Sequence, residues 1–334
     1  MPLSLSRGRV TAIVERRADL VRLEVDGSPC VAYPRATGEL EVGDDVLVNV
    51  QARALGLGSG GFDVLYANLT RALDLPPDED AHVMSLPYAP GQRAVRHLEE
   101  DDGPHADDLR GLPVVCCTVH SQVVPVCAAL RGLRVAYVQV GGGALPVSLS
   151  DAVRTLRDRG LIETAVAVAP CFDGDVQAVT AASALAWAEA AEFDVVVCAV
   201  GPGVVGTASR LGHGALALAD GANAAAALGG RPIVAARVSE RDERARHRGV
   251  SHHTRTVVEL CLGGPIVAWP AGLDPPPWLR TREEVDVSHW REACTDLPLS
   301  FMGRGPDDEP AFFAAAHAAG LVAASAAGAR RRAT

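Results

Sequence analysis

Apolar runs of strand length alternate with helix-like segments through the larger, C-terminal part of the chain. Strands without polar alternation are typical of a parallel sheet that helices cover on both faces. The pattern therefore predicts a Rossmann-like, doubly wound parallel α/β domain over residues 111–328, with one of its helices at 176–191. The clearest runs are rich in Val, Ala and Cys and occupy 112–119, 134–140, 164–169, 194–200 and 231–238.

The N-terminal residues follow a different pattern, in which Asp-Gly, Gly-Glu and Gly-Asp turn signals separate short strand candidates. This spacing predicts a small β-barrel of the SH3 or OB type in residues 1–70. Because the segment has no clear basic and aromatic face, docking or oligomerisation is favoured over nucleic-acid binding. The strand candidates lie at 7–16, 19–27, 29–36 and 44–55.

Two segments lie outside these domains. Residues 71–110 are rich in Pro and Asp, which predicts a connecting segment with a solvated loop. At the other end, an Ala-rich helix is predicted over 308–327, and we expect residues 329–334 to form a disordered tail.

A glycine-rich stretch directly follows the apolar run 194–200. Gly201, Gly203 and Gly206 come first, then Thr207 and a helix-like segment. Glycines let the backbone approach a ligand, and a helix N-terminus favours negative charge, so the stretch predicts an anion site. Its letters fit G-x-G-x-x-G, but the stretch lies late in the chain and lacks the acidic partner of a dinucleotide site. A tight turn without a ligand is the alternative.

Polar and glycine residues follow each of the five strands, and the carboxyl ends of parallel strands are where ligands bind. His120 and Ser121 come after the first run, and Gly142 after the second. His120 is a candidate general acid or base, with Ser121 beside it as a second catalytic candidate. The alternative is a structural histidine next to a serine that caps a helix.

The densest cationic stretch is Arg246–Thr254, which reads RHRGVSHHT. Arg248, together with Arg210, is expected to clamp a phosphate or carboxylate. We take His252 as a catalytic candidate and His253 as a ligand-binding one, on different faces of the predicted helix.

Two other constellations remain open alternatives. A metal site of His120, His213 and one of His252 or His253 with Asp175 has no supporting spacing. A catalytic triad of Ser121 or Ser251 with His120 and Asp175 lacks the G-x-S-x-G elbow. The metal requirement and any cofactor therefore stay unknown.

Composition removes several classes of function. The chain contains no lysine, which excludes Schiff-base and P-loop lysine chemistry. A net charge of −10 makes nucleic-acid binding unlikely for the protein as a whole. We see no secretory signal and no run of about 18 apolar residues, so a cytoplasmic protein without a membrane span is expected. The eight cysteines form no C-x-x-C pair, which disfavours a zinc ribbon.

Several segments together resemble an uncharacterised bacterial family, mainly actinobacterial and Firmicute, that is carried as a domain of unknown function. The resemblance covers about residues 7–325, and it implies no established activity. In the family an Asp commonly stands where this chain has Gly141, and a Glu where it has Gln177. The segments are LGLGSGGFD, HVMSLPYAPGQ, VHSQVVPV, GGGALP, GPGVVGTASRLGHG, RHRGVSHHT and FMGRG, and the residues that fit the pattern are His120, Gly201, Gly203, Gly206, Thr207, Arg210, Arg248, His252 and His253.

These observations predict an enzyme, either a hydrolase or a transferase, that binds a small anionic and phosphorylated or nucleotide-like ligand. The ligand is expected at the carboxyl ends of the parallel strands, and the protein is expected to form a homo-oligomer. The alternative is a non-catalytic metabolite sensor or an assembly module.

Overall fold

The computed structural model describes residues 3–57, 60–71, 73–75, 78, 80–100, 103 and 105–333. The chain divides into two compact units, Met1–Val95 and Arg96–Thr334. The unit boundary therefore falls within the segment 71–110, where the sequence predicted a connection. Gly58 and Ser59 of the glycine-rich segment 55–63, where the sequence indicates a loop, and parts of the acidic segments lie outside the described residues.

The first unit contains a closed five-stranded barrel with strand order β1-β2-β3-β5-β4. β3 and β5 pair in parallel and the other pairs are antiparallel, which is the Greek-key arrangement of OB-type barrels. The sequence predicted the barrel but not its fifth strand, which follows the glycine-rich loop. The strands are β1 Leu5–Arg16, β2 Val21–Val25, β3 Ser28–Ala32, β4 Asp45–Asn49 and β5 Asp63–Asn68.

Alternation of side chains fills the barrel. Along β2, Val21, Leu23 and Val25 are buried, and they pack with Val10 and Leu65 inside. Two four-residue helices, α1 Pro34–Thr37 and α2 Gln51–Ala54, connect the strands, and β6 Met84–Ser85 pairs with β7 Arg93–Ala94 as a short hairpin.

The second unit contains an eight-stranded, all-parallel sheet, as the uninterrupted apolar runs predicted. Its order is β11-β10-β9-β12-β8-β13-β16-β17, so β12 returns between β9 and β8 before the chain continues beyond β8. The strands are β8 Pro113–Cys117, β9 Val135–Val140, β10 Thr164–Val168, β11 Val176–Ala178, β12 Val195–Val200, β13 Arg231–Ala235, β16 Ile266–Pro270 and β17 Arg282–Val285; β14 Val238–Ser239 and β15 Gly249–Val250 form a separate pair.

Helices cover both faces of this sheet, which makes it doubly wound and Rossmann-like. Alternate strand residues point to opposite faces: Val114 belongs to the core that residues of α5, α6 and α7 share, whereas Val115 belongs to the core that residues of α3, α4 and α9 share. The helices are α3 Val123–Ala128, α4 Asp151–Asp158, α5 Ala181–Ala190, α6 Ala217–Ala227, α7 His252–Leu260, α8 Trp290–Ala293 and α9 Pro310–Ala333.

Two elements differ from the sequence prediction. Residues 176–178 form an edge strand beside β10, and the helix begins only at Ala181, where the Thr180 hydroxyl accepts from the Ser183 amide. α9 continues through the segment predicted to be disordered. Arg330 and Arg331 pair there with Glu189 and Asp194, and these ion pairs hold the last turns of the helix against the unit. Thr334 lies outside the described residues.

α9 is also long and apolar enough to cross a membrane by length and composition. However, 72% of the most apolar 18-residue stretch of this helix is buried inside the unit, as expected for the core helix of a soluble protein.

The strand order determines where loops from different strands meet. The connection that leaves β8 runs toward β9, whereas the connections that leave β12 and β13 run in the opposite direction. Such a reversal opens a crevice at the carboxyl ends of the strands. The loops that follow β12 and β13 flank the end of β8 at this crevice.

Candidate functional site

The loops that follow β9 and β12 pack backbone to backbone. A Cβ atom on Gly142 or Gly214 would lie closer than 3.0 Å to main-chain atoms of the other residue. A Cβ on Gly143 would likewise meet the Gly201 carbonyl, and one on Gly201 would meet the Ala144 carbonyl. Gly142 and Gly201 were predicted to bind a ligand, and the structure gives both a packing role.

The glycine-rich stretch forms a hairpin and does not open a helix. Gly206 and His213 form an isolated antiparallel β-bridge, and the Thr207 amide donates to the Gly212 carbonyl. The next helix, α6, starts only at Ala217. The hydroxyl of Thr207 also bonds within the hairpin, to Gly212 at 3.1 Å. The helix N-terminus expected directly after the glycines is therefore not present, because α6 begins only at Ala217, and anion binding by this stretch stays a prediction.

His120 lies at the end of β8 and uses both ring nitrogens. Nδ1 lies 3.1 Å from the Val200 carbonyl, and Nε2 lies 2.6 Å from Oγ of Ser150. A carbonyl only accepts, so Nδ1 carries the proton and Nε2 accepts from the Ser150 hydroxyl. Ser150 is the N-cap of α4, and its Oγ also accepts from the Val153 amide at 3.0 Å.

The position of Ser150 was missed from the sequence, although Ser followed by Asp before an amphipathic segment is a helix-start signal. Ser121, the residue singled out instead, caps no helix. The side chain of the neighbouring Gln122 bonds back along the chain, and its Oε1 accepts from the Val119 amide.

Burial lowers the pKa of His120 to about 4. Between this value and the pKa of about 6.5 in the unfolded chain, the unfolded state binds more protons. We therefore expect His120 to leave stability unchanged above pH 6.5 and to reduce it as the pH falls toward 4, by up to about 3 kcal/mol. Denaturant titrations at several pH values should show a shallower decline in His120→Gln than in the wild type. Equal slopes would contradict the assignment.

Asp175 does not belong to the crevice. Its carboxylate accepts from the Ala165 amide at 2.8 Å and pairs with Arg157, near the start of β10. The chain after β10 runs back along the sheet edge to begin β11 in parallel, and this carries Asp175 to the amino end of the sheet. The alternative metal set and triad that used Asp175 are therefore wrong.

Four histidines gather where the loops from β12 and β13 meet. The rings of His213 and His253 stack with centroids 4.0 Å apart, and His252 lies 4.5 Å from His253. His247 packs at 4.8 Å from His252 and 4.9 Å from His253. One ligand atom from each of His213, His252 and His253 lies within 4.8 Å of the others. The expectation that His252 and His253 face apart is thus corrected.

The local structure explains this convergence. Ser251 is the N-cap of α7, and its Oγ accepts from the His253 amide. The same Oγ lies 2.8 Å from Nδ1 of His247. His252 and His253 occupy the first turn of α7. The hairpin after β12, which Gly206 and His213 close (the β12 hairpin), places His213 against both rings.

The histidine rings are held neutral. Burial lowers the pKa of His253 to about 2 and that of His247 to about 3, and nearby positive groups add to the effect. Burial also lowers the pKa of His213, and the Arg210 backbone opposes this to a smaller extent. Burial lowers the pKa of His252 as well, and the positive charge of Arg246 is the next cause in the same direction. Neutral imidazole is the form that ligates metals.

A buried ion-pair network supports the loop that carries these histidines. Arg237 and Asp242 are 3% and 2% exposed and pair at 3.1 Å, and Arg244 pairs with the same carboxylate. Burial opposes the charged form of Asp242, but hydrogen bonds from Arg244 hold its pKa well below the usual range. No motif in the sequence marks Arg237, Asp242 or Arg244.

The network continues to the C-terminal segment. Ser239 donates to Glu309 at 2.8 Å, and Arg304 pairs with the same carboxylate. Arg237 and Arg304 both lie over the Phe301 ring.

The predicted anion clamp is only partly available. Arg210 pairs with Glu259 at 2.8 Å, which ties the β12 hairpin to α7. Arg248 is exposed and makes only long bonds to carbonyls of its own loop. Arg246 is exposed, and its positive charge contributes to the lowered pKa of His252. It has no carboxylate partner among the described residues.

The sequence places the chain in one family. The chain matches the family described as "Protein of unknown function (DUF3866)" over residues 29–320, so it belongs to that family. No curated protein matches it.

Proposed function

We propose that this protein is an enzyme, a hydrolase or transferase, that acts on a small anionic substrate at the carboxyl ends of β8, β9, β12 and β13. The observation that carries the proposal is the 2.6 Å hydrogen bond from the Ser150 hydroxyl to Nε2 of His120. A nucleophile bonded to a base, which a third group orients in turn, is the general arrangement of covalent catalysis. Here the Val200 carbonyl is the orienting group.

The contacts of Ser150 and His120 support a covalent first step. Oγ of Ser150 forms a bond to an acyl or phosphoryl centre while its proton passes to Nε2 of His120. The bond to the leaving group breaks, and His120 returns the proton to that group. The Val153 amide and the N-terminus of α4 favour negative charge that develops on Oγ. Because His120 is neutral at physiological pH, it is in the form that accepts a proton.

The preference for an anion comes from the neighbouring arginines. Arg246 and Arg248 are exposed on the loop that flanks the crevice and have no carboxylate partner among the residues that the structure describes. Guanidinium groups bind phosphate and carboxylate in bidentate fashion. These two residues, and not Arg210, are the proposed contacts to the substrate.

A fluorophosphonate probe tests the proposed nucleophile. In the wild type we expect one adduct per chain, with Oγ of Ser150 bonded to phosphorus and fluoride released. Ser150→Ala should give no adduct, as located by peptide mass spectrometry. Ser150→Asp keeps an N-capping oxygen and should stay folded, yet should not react. Ser148→Ala, two residues away, is the matched control and should still label at Ser150.

The result also separates the enzyme from the non-catalytic sensor. A folded wild type that does not react with the probe, or one whose adduct lies elsewhere, would remove the enzyme proposal. If such a protein still bound inorganic phosphate, and lost that binding in Arg246→Ala combined with Arg248→Ala, the sensor would be the better description.

A further inference from the structure

We infer that His213, His252 and His253 form a binding site for one divalent transition-metal ion, with Zn²⁺ as the first candidate. Their ligand atoms already lie within 4.8 Å of one another. They come from the two loops that meet at the crevice, so the folded unit assembles a donor set that no short sequence motif contains. The site goes beyond the proposed reaction, because binding of the ion does not depend on a substrate or on Ser150.

A second observation points to a ligand. Both ring nitrogens of His213, Nε2 of His252 and Nδ1 of His253 are buried, and none has a hydrogen-bond partner in good geometry among the described residues. His213 and His253 are 5% and 4% exposed. A buried polar atom without a partner costs about 1–3 kcal/mol, so unpartnered nitrogens in one cluster need an explanation. A shared cation supplies one.

The donor set selects the class of ion. Imidazole nitrogens suit zinc, copper, iron and nickel, whereas magnesium and calcium prefer oxygen ligands. In a tetrahedral site with Zn–N bonds of about 2.1 Å, two ligand nitrogens lie about 3.3 Å apart. Binding of one ion therefore requires the rings of His213 and His253, which stack at 4.0 Å, to turn out of the stack so that a nitrogen of each points at the ion. Three protein ligands also leave one position for water or substrate, as in catalytic zinc sites.

The surroundings suit such a site. His247 packs against His252 and His253 and is held by the Ser251 hydroxyl, which also caps α7. The nearby carboxylate, Asp242, is engaged by Arg237 and Arg244 and is not a donor. Gly206 lies over the cluster, where a Cβ would come within 3.9 Å of Nε2 of His253.

Metal binding is tested directly on the full-length protein with its affinity tag removed. After EDTA treatment and dialysis, calorimetry with Zn²⁺ should give one site per chain, and Co²⁺ should give the visible d–d bands of a low-coordinate site. His252→Ala and His253→Ala should each weaken Zn²⁺ binding about 100-fold or more. His289→Ala, at an exposed histidine, is the control and should match the wild type.

A ligand-preserving variant covers the case in which an alanine variant misfolds. His252→Cys should retain Zn²⁺ and should add a thiolate-to-cobalt charge-transfer band, which only direct coordination produces. The inference is overturned if the folded wild type binds no Zn²⁺ more tightly than the His252→Ala protein, or if His252→Cys shows no such band with Co²⁺. Probe labelling at Ser150 is measured in EDTA, so either proposal can fail without the other.

Discussion

Gly214→Ala is expected to destabilise the second unit by more than about 3 kcal/mol or to prevent its folding. A methyl group at this position would lie closer than 3.0 Å to the carbonyl oxygen, carbonyl carbon and Cα of Gly142. All of these are backbone atoms of a loop that is held by the Val205 amide, which donates to the Gly142 carbonyl at 2.9 Å. A side chain could rotate away, whereas this backbone cannot move without separating the loops from β9 and β12.

Urea titrations followed by circular dichroism would measure the effect. Gly305→Ala is the matched control, since a Cβ there meets nothing within 4 Å and the residue does not have a positive φ. It should change the free energy of unfolding by no more than about 0.5 kcal/mol. A Gly214→Ala protein as stable as Gly305→Ala would show that the two loops do not pack as described.

Asp242→Asn is the second substitution with a large expected effect, about 3–5 kcal/mol of stability lost. The change keeps the size of the side chain but leaves the guanidinium of Arg237, only 3% exposed, without its counter-charge. Burial already lowers the pKa of Arg237 to about 10, and at neutral pH the group remains charged. An uncompensated buried charge is far more costly than a missing surface pair.

Asp308→Asn supplies the comparison. Its carboxylate pairs with Arg241 at 2.8 Å, but both side chains are at least half exposed, so we expect a loss of at most about 1 kcal/mol. Combining Asp242→Asn with Arg237→Met should recover part of the stability, because the second change removes the buried charge. Purely additive losses in the double variant would argue against a coupled buried pair.

The strands and their burial were predictable because that information is local. Val, Ala and Cys runs such as 194–200 leave no polar face, so the sequence alone requires helices on both sides of the strand. The parallel sheet, the barrel and most helices followed from such patterns. The edge strand β17 was missed because its residues, Arg282–Val285, are mostly charged, and only pairing with β16 makes them a strand.

The candidate site was less predictable, and the reason is geometric. His120 could be singled out from the sequence, but its partner Ser150 comes from the loop after another strand. His252 and His253 were expected on different faces, because helix periodicity says nothing about a third residue that approaches from outside. His213 reaches them only because β12 lies two strands from β13, on the far side of β8.

The sequence by itself determined the class of fold, the segments that carry glycines, histidines and arginines, and the exclusion of lysine chemistry. These depend on residue type and on periodicity over one element. The tertiary structure alone decided which polar groups meet: Ser150 with His120, His213 with His252 and His253, and Arg237 with Asp242. Strand order sets these distances, and it arises from the packing of the whole domain, which no single segment encodes.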